Sequence, residues 1–356
     1  MTRALVTGAN GHLGANLVRD LLEHGYEVVP FVRSGSDLSG LKGLDLNLFY
    51  GNLLRRDTVM EAAGECDIIF HAGAPYKVWA KHESDIINPA VEGTLNIMTA
   101  AKEAGVEKVI CTSSCNAVGF TKDPQKPRSE ESWNDHAHGP YVRAKNRAEA
   151  MAWRMADELG VPTVALLPTA VLGRFDYRLT PTTKPLVDAI NGKGPIPFAL
   201  NLLDVRDNAR AHVLAAEKGK PGERYLVGGE NVSAAGLADL IEELSGTRPR
   251  QGMGPKLILW PIAAISEIVS HVTEKDPIIT RDVLADGAGR HAVFDCSKMR
   301  KELGLEPRGA REVVEEVIRW ALFVGAIKEP LAEKLKDRYP PDPDWPPPIS
   351  RSAGGV

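Results

Sequence analysis

Cysteine is scarce in this sequence, and long apolar runs and blocks of like charge are missing from it. Among 356 residues there are four cysteines, Cys66, Cys111, Cys115 and Cys296. They form no C-x-x-C pair and have no histidine cluster beside them, so the chain offers neither a disulfide framework nor a metal site. They are expected as small buried apolar side chains in a reducing compartment. The greasiest segment, Leu257 to Ile265, is too short to cross a bilayer and is interrupted by Pro261. The N-terminus enters a strand pattern at Ala4-Leu5-Val6 without the basic-then-apolar order of a secretory signal. No membrane span is expected, and a cytoplasmic protein is the default reading. Lysine and arginine are scattered and the net charge is −4, which gives no electrostatic reason to expect nucleic acid as a partner.

What is there is an alternation. Hydrophobic residues make up 43% of the chain, enough for one large domain with or without a smaller lobe. Short apolar runs at Arg3–Thr7, Glu27–Val32, Leu46–Tyr50, Asp67–His71, Lys108–Thr112 and Thr163–Pro168 alternate with amphipathic stretches at His12–His24, Arg55–Ala63, Asp85–Ala104 and Pro140–Leu159. Continuous apolar strands between helices predict an α/β fold, a doubly wound parallel Rossmann sheet covered on both faces. The rhythm breaks near Leu172. Residues 1–172, with a return segment at about 201–228, read as an NADP-binding domain. Residues 173–200 and 229–330 read as a smaller, mostly helical substrate lobe, with helices at Ser233–Ser245, Leu257–His271 and Ala310–Val324. Residues 331–356 read as a proline-rich extended tail, on the surface or disordered.

The strongest local motif is Thr7-Gly8-Ala9-Asn10-Gly11-His12-Leu13-Gly14, between the first strand and the first helix. Glycines there permit a tight turn, a close backbone approach to a pyrophosphate and close helix–strand packing, and the helix start adds free N–H groups. His12 is expected to be an ordinary first-turn residue. An NAD site places an acid about 20 residues beyond the glycines; here the second strand ends in Arg33-Ser34, and an arginine suits a 2′-phosphate. NADP(H) is therefore the preferred cofactor, with NAD(H) possible. Asn52 and Leu53, after the third strand, could flank the adenine. Ala72, Gly73 and Ala74 follow the fourth strand and are small enough to let backbone lie against a cofactor. His71 is expected to be a packed strand-end residue.

Tyr141-Val142-Arg143-Ala144-Lys145 opens a strong helical pattern. Residues four apart share a helix face, so the phenol and the ammonium project together. The ammonium is expected to lower the phenol's pKa and make it a general acid–base. The fifth strand ends Thr112-Ser113-Ser114. A hydroxyl there can donate to a carbonyl oxygen that gains charge; Ser114 is preferred to Ser113, against the plainer reading of a capping hydroxyl.

Taken together, the Thr7-Gly8-x-x-Gly11-x-x-Gly14 turn, the Thr112-Ser113-Ser114 strand end and Tyr141-x-x-x-Lys145 resemble the extended short-chain dehydrogenase/reductase superfamily, over about residues 1–325. Arg33-Ser34, Asn88 to Thr94, Pro168 to Gly173 and Asp204-Val205-Arg206-Asp207 resemble its dihydroflavonol-4-reductase-like branch, which includes aldehyde and ketone reductases and hydroxysteroid dehydrogenases. The resemblance implies that Tyr141 protonates the substrate oxygen, Lys145 holds the nicotinamide ribose and tunes the tyrosine, and Ser114 orients the carbonyl. Pro168 and the residues after it, Val171 among them, would border the nicotinamide, and Thr112 would lie beside the cofactor. Two positions depart from the family pattern: Asn52 stands where an Asp is common, and Gly73 where an alanine is, the latter expected to be without consequence. The implied reaction is hydride transfer from NADPH to a ketone or aldehyde. A nucleotide-sugar epimerase is the runner-up, with Arg174 and Arg178 as candidates for a diphosphate pocket. Sugar 4,6-dehydratases carry an Asp-Glu pair where Ser113-Ser114 stand. A non-catalytic cofactor sensor would tend to lack the Tyr/Lys pair. Trp79, Phe120, Trp133, Phe175 and Tyr177 could wall an apolar pocket that Leu257, Trp260, Ile262 and Ile265 cover, or be ordinary lobe core. The partner expected is thus a small carbonyl compound, apolar or aromatic, taken by a monomer or a homodimer.

Overall fold

The computed structural model describes residues 1–252, 256–273, 277, 279–287 and 289–346. The strands are β1 (Arg3–Thr7), β2 (Glu27–Val32), β3 (Phe49–Tyr50), β4 (Ile68–His71), β5 (Lys108–Thr112), β6 (Thr163–Pro168), β7 (Ala170–Leu172), β8 (Leu200–Asp204), β9 (Arg224–Val227) and β10 (Glu230–Val232). The helices are α1 (His12–Glu23), α2 (Arg56–Ala63), α3 (Ser84–Ala104), α4 (Pro140–Leu159), α5 (Thr183–Ile190), α6 (Val205–Lys218), α7 (Ala234–Ser245), α8 (Lys256–Thr273), α9 (Arg281–Gly287), α10 (Ser297–Leu303), α11 (Ala310–Phe323) and α12 (Leu331–Leu335).

Seven strands form one sheet in the order β3-β2-β1-β4-β5-β6-β9, and every pairing in it is parallel. Side chains alternate across it. Ala4, Val6, Ile68, Phe70 and Ile110 pack with Leu17, Leu21 and Val213 of α1 and α6. Leu5, Ile69, Val109 and Cys111 pack with Val59, Ile97, Met98 and Ala152 of α2, α3 and α4 on the other face. Both faces are covered, which is why these strands read as unbroken apolar runs. This is the doubly wound Rossmann arrangement, followed by a helical C-terminal region. Helix α4 starts with Pro140 at its first position and stops at Gly160 in the left-handed region (φ 67°), the asymmetry expected of proline and glycine at helix ends.

Some boundaries move. β3 covers only Phe49–Tyr50 of the expected Leu46–Tyr50, because an edge strand has one neighbour, and β2 offers it only Phe31 and Val32. β8 pairs with β7 and β10 in a separate three-stranded sheet; within the expected return segment, α6 packs on α1 and β9 joins the large sheet. The expected surface tail is corrected in part. Leu331–Leu335 is helical, and Trp345 is buried against Trp320 and Phe323, since an indole gains more from apolar neighbours than from water. Residues 347–356 of that tail lie outside the described residues. Among the described residues, no helix is long and apolar enough to cross a membrane.

Candidate active site

Parallel strands bring their carboxyl ends to one edge. Thr7 pairs with Phe31 and His71, His71 with Cys111, Thr112 with Leu166, and Pro168 with Val227. The chain reverses its strand order between β1 and β4, and such a switch point opens a crevice for a ligand.

The glycine turn fills that crevice with backbone. Gly8 has φ +68°, and a Cβ on it would lie 2.8 Å from the Cα of Gly73. A Cβ on Gly14 would lie 2.1 Å from the carbonyl oxygen of Gly8. Gly11 caps α1 with no side chain, leaving the N–H groups of His12, Leu13 and Gly14 at the helix start. Asn10 donates to the Asp37 carbonyl (3.0 Å) and so ties the turn to the loop after β2. At Gly73 a Cβ would fit tightly, 3.0 Å from Gly8 N, from Leu53 Cδ1 and from Thr7 Oγ1, so those neighbours would have to give by a few tenths of an ångström. Thr7 Oγ1 meanwhile accepts from Gly73 N (3.0 Å) and bonds His71 Nδ1 (2.9 Å).

Around this turn the other expected cofactor residues take different positions. Arg33, the residue after β2, is exposed. Leu53 lies against Gly73 and Gly93. The Asn52 amide is used locally, its Oδ1 accepting from Leu54 N (3.1 Å). Ala72 and Ala74 flank Gly73 directly after β4. Pro168 is buried at the end of β6, and Val171 is half-buried in β7. His12 is more than an ordinary first-turn residue: its nearly buried ring faces Asp176, Nδ1 to Oδ2 3.8 Å.

Tyr141, Lys145 and Glu149 recur every fourth residue on the inward face of α4. The Ser114 hydroxyl lies near enough to the Tyr141 phenol to hold its pKa down against burial, and it accepts from Asn116 N (3.2 Å) and Nδ2 (3.1 Å). With its lone pairs used by Asn116, its own proton is free to point at the phenol side. Ser113 faces elsewhere, donating to buried Glu149, which also receives Arg224 Nε (2.5 Å) and Trp153 Nε1 (3.2 Å). The capping reading of Ser114 therefore applies.

One electrostatic expectation is overturned. Tyr141 is raised well above the ordinary phenol range, first by burial and then by neighbouring Tyr76; Lys145 is not among the causes. The Lys145 ammonium donates to the Thr112 carbonyl (3.0 Å), and burial lowers its own pKa to about 8. Desolvation penalises both charged forms.

Sequence reasoning missed Tyr76 and His212. The Tyr76 ring lies 5.0 Å from that of Tyr141, and its hydroxyl bonds Thr182 Oγ1 (2.5 Å). His212 bonds Thr112 Oγ1 (2.8 Å). Neither carries a local motif; an aromatic two residues past a small-residue strand end is the one available hint.

The proposed aromatic wall divides. Phe175 and Tyr177 pack on Trp320 in the core. Phe120 meets Phe198 and Phe294, and Trp133 lies under the Arg224 guanidinium. Trp260, Ile262 and Ile265 are exposed and do not cover a pocket, because the buried side of α8 runs through Ala263 and Ser270 instead; the Leu257 side chain lies outside the described ones. Trp79 sits against His271 at the end of α8 (5.5 Å between rings). Arg174 is engaged by Glu316 (2.6 Å) and Asp342 (3.5 Å).

The geometry agrees with what the chain is similar to. A model of the NAD dependent epimerase/dehydratase family matches residues 4–228. A Synechocystis protein named as a dihydroflavonol 4-reductase is 32% identical over 332 residues, 91% of this chain and 95% of that one. Sterol demethylase protein B of Methylococcus capsulatus is 32% identical over 341 residues, 91% of this chain and 99% of that one. The crystal structure of gox2253 has a TM-score of 0.80 and 34% identity, covering 92% of this chain and 100% of that one. With a glycine-lined crevice and a Tyr/Lys pair at the same sheet edge, the chain belongs to the NAD dependent epimerase/dehydratase family and is an NAD(P)-dependent oxidoreductase of the extended short-chain type.

Proposed function

We propose that the protein is an NADPH-dependent reductase that turns a ketone or aldehyde carbonyl into an alcohol, with Tyr141 as proton donor. The observation that carries this reading is Tyr141 one turn from Lys145 on α4, with the Lys145 ammonium held by the Thr112 carbonyl (3.0 Å) at the carboxyl edge of the sheet where Ser114 follows.

The residues present fit a dinucleotide. The backbone of Gly73 approaches too closely for a Cβ on Gly8, and the α1 start would hold a pyrophosphate. Arg33 would meet the 2′-phosphate, Asn52 and Leu53 the adenine side, and Ala72 to Ala74, Thr112, Pro168 and Val171 the nicotinamide side; Lys145 would hold the ribose. When bound, the nicotinamide supplies a hydride to the carbonyl carbon. Ser114 donates to the carbonyl oxygen as it gains charge. Burial keeps the Tyr141 phenol protonated near neutral pH, the form a proton donor needs, and its proton completes the alcohol. An apolar or aromatic carbonyl suits the exposed Tyr76 ring beside the phenol. Four buried free thiols suit a reducing, cytoplasmic setting.

The epimerase alternative loses one of its candidate diphosphate cations, since Arg174 already pairs with Glu316 and Asp342. The test is NADPH oxidation with a panel of aromatic and aliphatic carbonyls. Turnover with a member of the panel is the expected result. No turnover, together with cofactor that stays bound through purification, would assign the epimerase instead.

A further inference from the structure

Behind the reacting residues lies a buried histidine that the proposed mechanism does not use. His212 is on α6, the helix packed across the sheet face away from α4, and it is completely buried. Its Nδ1 lies 2.7 Å from the Asn208 carbonyl oxygen. A carbonyl only accepts, so Nδ1 carries the proton. In a neutral ring Nε2 is then a bare acceptor, and the group 2.8 Å from it is the Thr112 hydroxyl, which must donate. Burial, and the nearby Lys145 charge, push the ring's pKa down to about 4, so the neutral form persists at working pH. The backbone carbonyl of that same Thr112 receives Lys145 Nζ (3.0 Å).

We propose that His212 is a positioning residue for the reacting centre: its bare Nε2 fixes the Thr112 hydroxyl, and through Thr112 it fixes the carbonyl that holds Lys145. The chain Asn208 carbonyl, His212, Thr112, Lys145 crosses the sheet from one helical layer to the other with each donor direction forced. A second ring repeats the device at the cofactor turn. Thr94 Oγ1 donates to the Ala90 carbonyl (2.9 Å), so it accepts from His71 Nε2 (3.3 Å). His71 Nδ1 is then bare and receives the Thr7 hydroxyl (2.9 Å). Two neutral imidazoles thus latch the threonines that end β1 and β5, the strands feeding the glycine turn and the reacting hydroxyls. A protonated imidazole could not do this, because neither of its nitrogens accepts.

This inference rests on the reductase reading for its kinetic readout but not for its geometry. Thr112→Val removes the hydroxyl and keeps both the shape and the carbonyl. His212→Leu removes the acceptor, and His212→Gln restores one at similar reach. The kcat with NADPH and a carbonyl substrate is measured per cofactor-binding site, with binding sites counted by fluorescence titration. Thr112→Val and His212→Leu are each expected to lower kcat on the order of tenfold with little change in the substrate KM. The double variant falls no further than the worse single one, and His212→Gln recovers most of the loss. A role in folding alone would reduce the number of binding sites and leave kcat per site unchanged. Parental kcat in Thr112→Val overturns the proposal even if His212→Leu does not fold, as does a double variant whose loss is the product of the single losses. Nitrogen-15 spectra of histidine-labelled protein read the geometry without turnover: His212 should show a protonated Nδ1 and a bare Nε2 that shifts in Thr112→Val. A parent without carbonyl turnover but with that shift sinks the reductase reading and supports the latch; a protonated Nε2 sinks the latch whatever the activity.

Discussion

Single side chains at the sheet edge divide into those that act by ionising and those that act by position. Tyr141 is proposed as one of the first kind. Tyr141→Phe removes only the phenol oxygen, so turnover should fall by roughly 10²–10⁴-fold, the usual worth of a general acid, while NADPH affinity measured by fluorescence stays near the parental value. A variant retaining tenth-parental activity would move the proton donor elsewhere. Lys145 has a consequence for stability as well. Its folded pKa of about 8 lies below the ordinary 10.5, so below about pH 8 the ammonium is charged in both states and burial opposes folding. Between those two values the unfolded chain holds a proton that the folded chain lacks, and stability therefore rises with pH across that window. Lys145→Met should accordingly melt higher than the parent at pH 7, with the gap closing as pH approaches 10, and should turn over poorly. A lower melting point at pH 7 would mean that the contact with Thr112 outweighs desolvation. Arg33 is proposed to act by charge: exposed just after β2, it can be reversed without disturbing the core. Arg33→Asp should lower the ratio of kcat/KM for NADPH to that for NADH by about tenfold or more; a parent that already prefers NADH would overturn the cofactor assignment.

At the scale of elements, the β1–α1 unit is held by contacts that leave no space for a methyl group. The helix start must come down onto the Gly8 carbonyl, and a Cβ on Gly14 would stand 2.1 Å from that backbone oxygen, with no flexible side chain to move aside. Gly14→Ala should therefore shift α1 off the turn, weaken NADPH binding at least tenfold, and cost stability on the scale of an overpacked core, about 1–3 kcal/mol. Titration of the cofactor and thermal unfolding of the same sample check both halves. Unchanged affinity would mean that the helix start does not carry the pyrophosphate. Helix α4 shows the complementary rule: Pro140 and Gly160 fix its ends from local chemistry, whereas its inward face is chosen by the end of β5, where Thr112 receives Lys145 and Ser113 meets Glu149.

For the whole molecule, the C-terminal segment returns to the body of the protein. Trp345 packs on Trp320 and Phe323, with the Arg174 guanidinium over its ring, and Tyr177 donates to the Pro346 carbonyl (3.2 Å). Trp345→Ala should cost about 3 kcal/mol or more and lower the melting temperature by several degrees; an unchanged melting temperature would show that the segment adds nothing to stability. The parallel sheet, the glycine turn and the shared face of Tyr141 and Lys145 were legible along the chain, because strand periodicity, glycine backbone freedom and the helical repeat are properties of neighbouring residues. Long-range packing supplied the rest: burial rather than Lys145 sets the pKa of Tyr141, and His212, 100 positions from Thr112, bonds its hydroxyl. Those outcomes depend on which side chains distant segments bring together and on how much water they displace, and neither is written in any short stretch of chain.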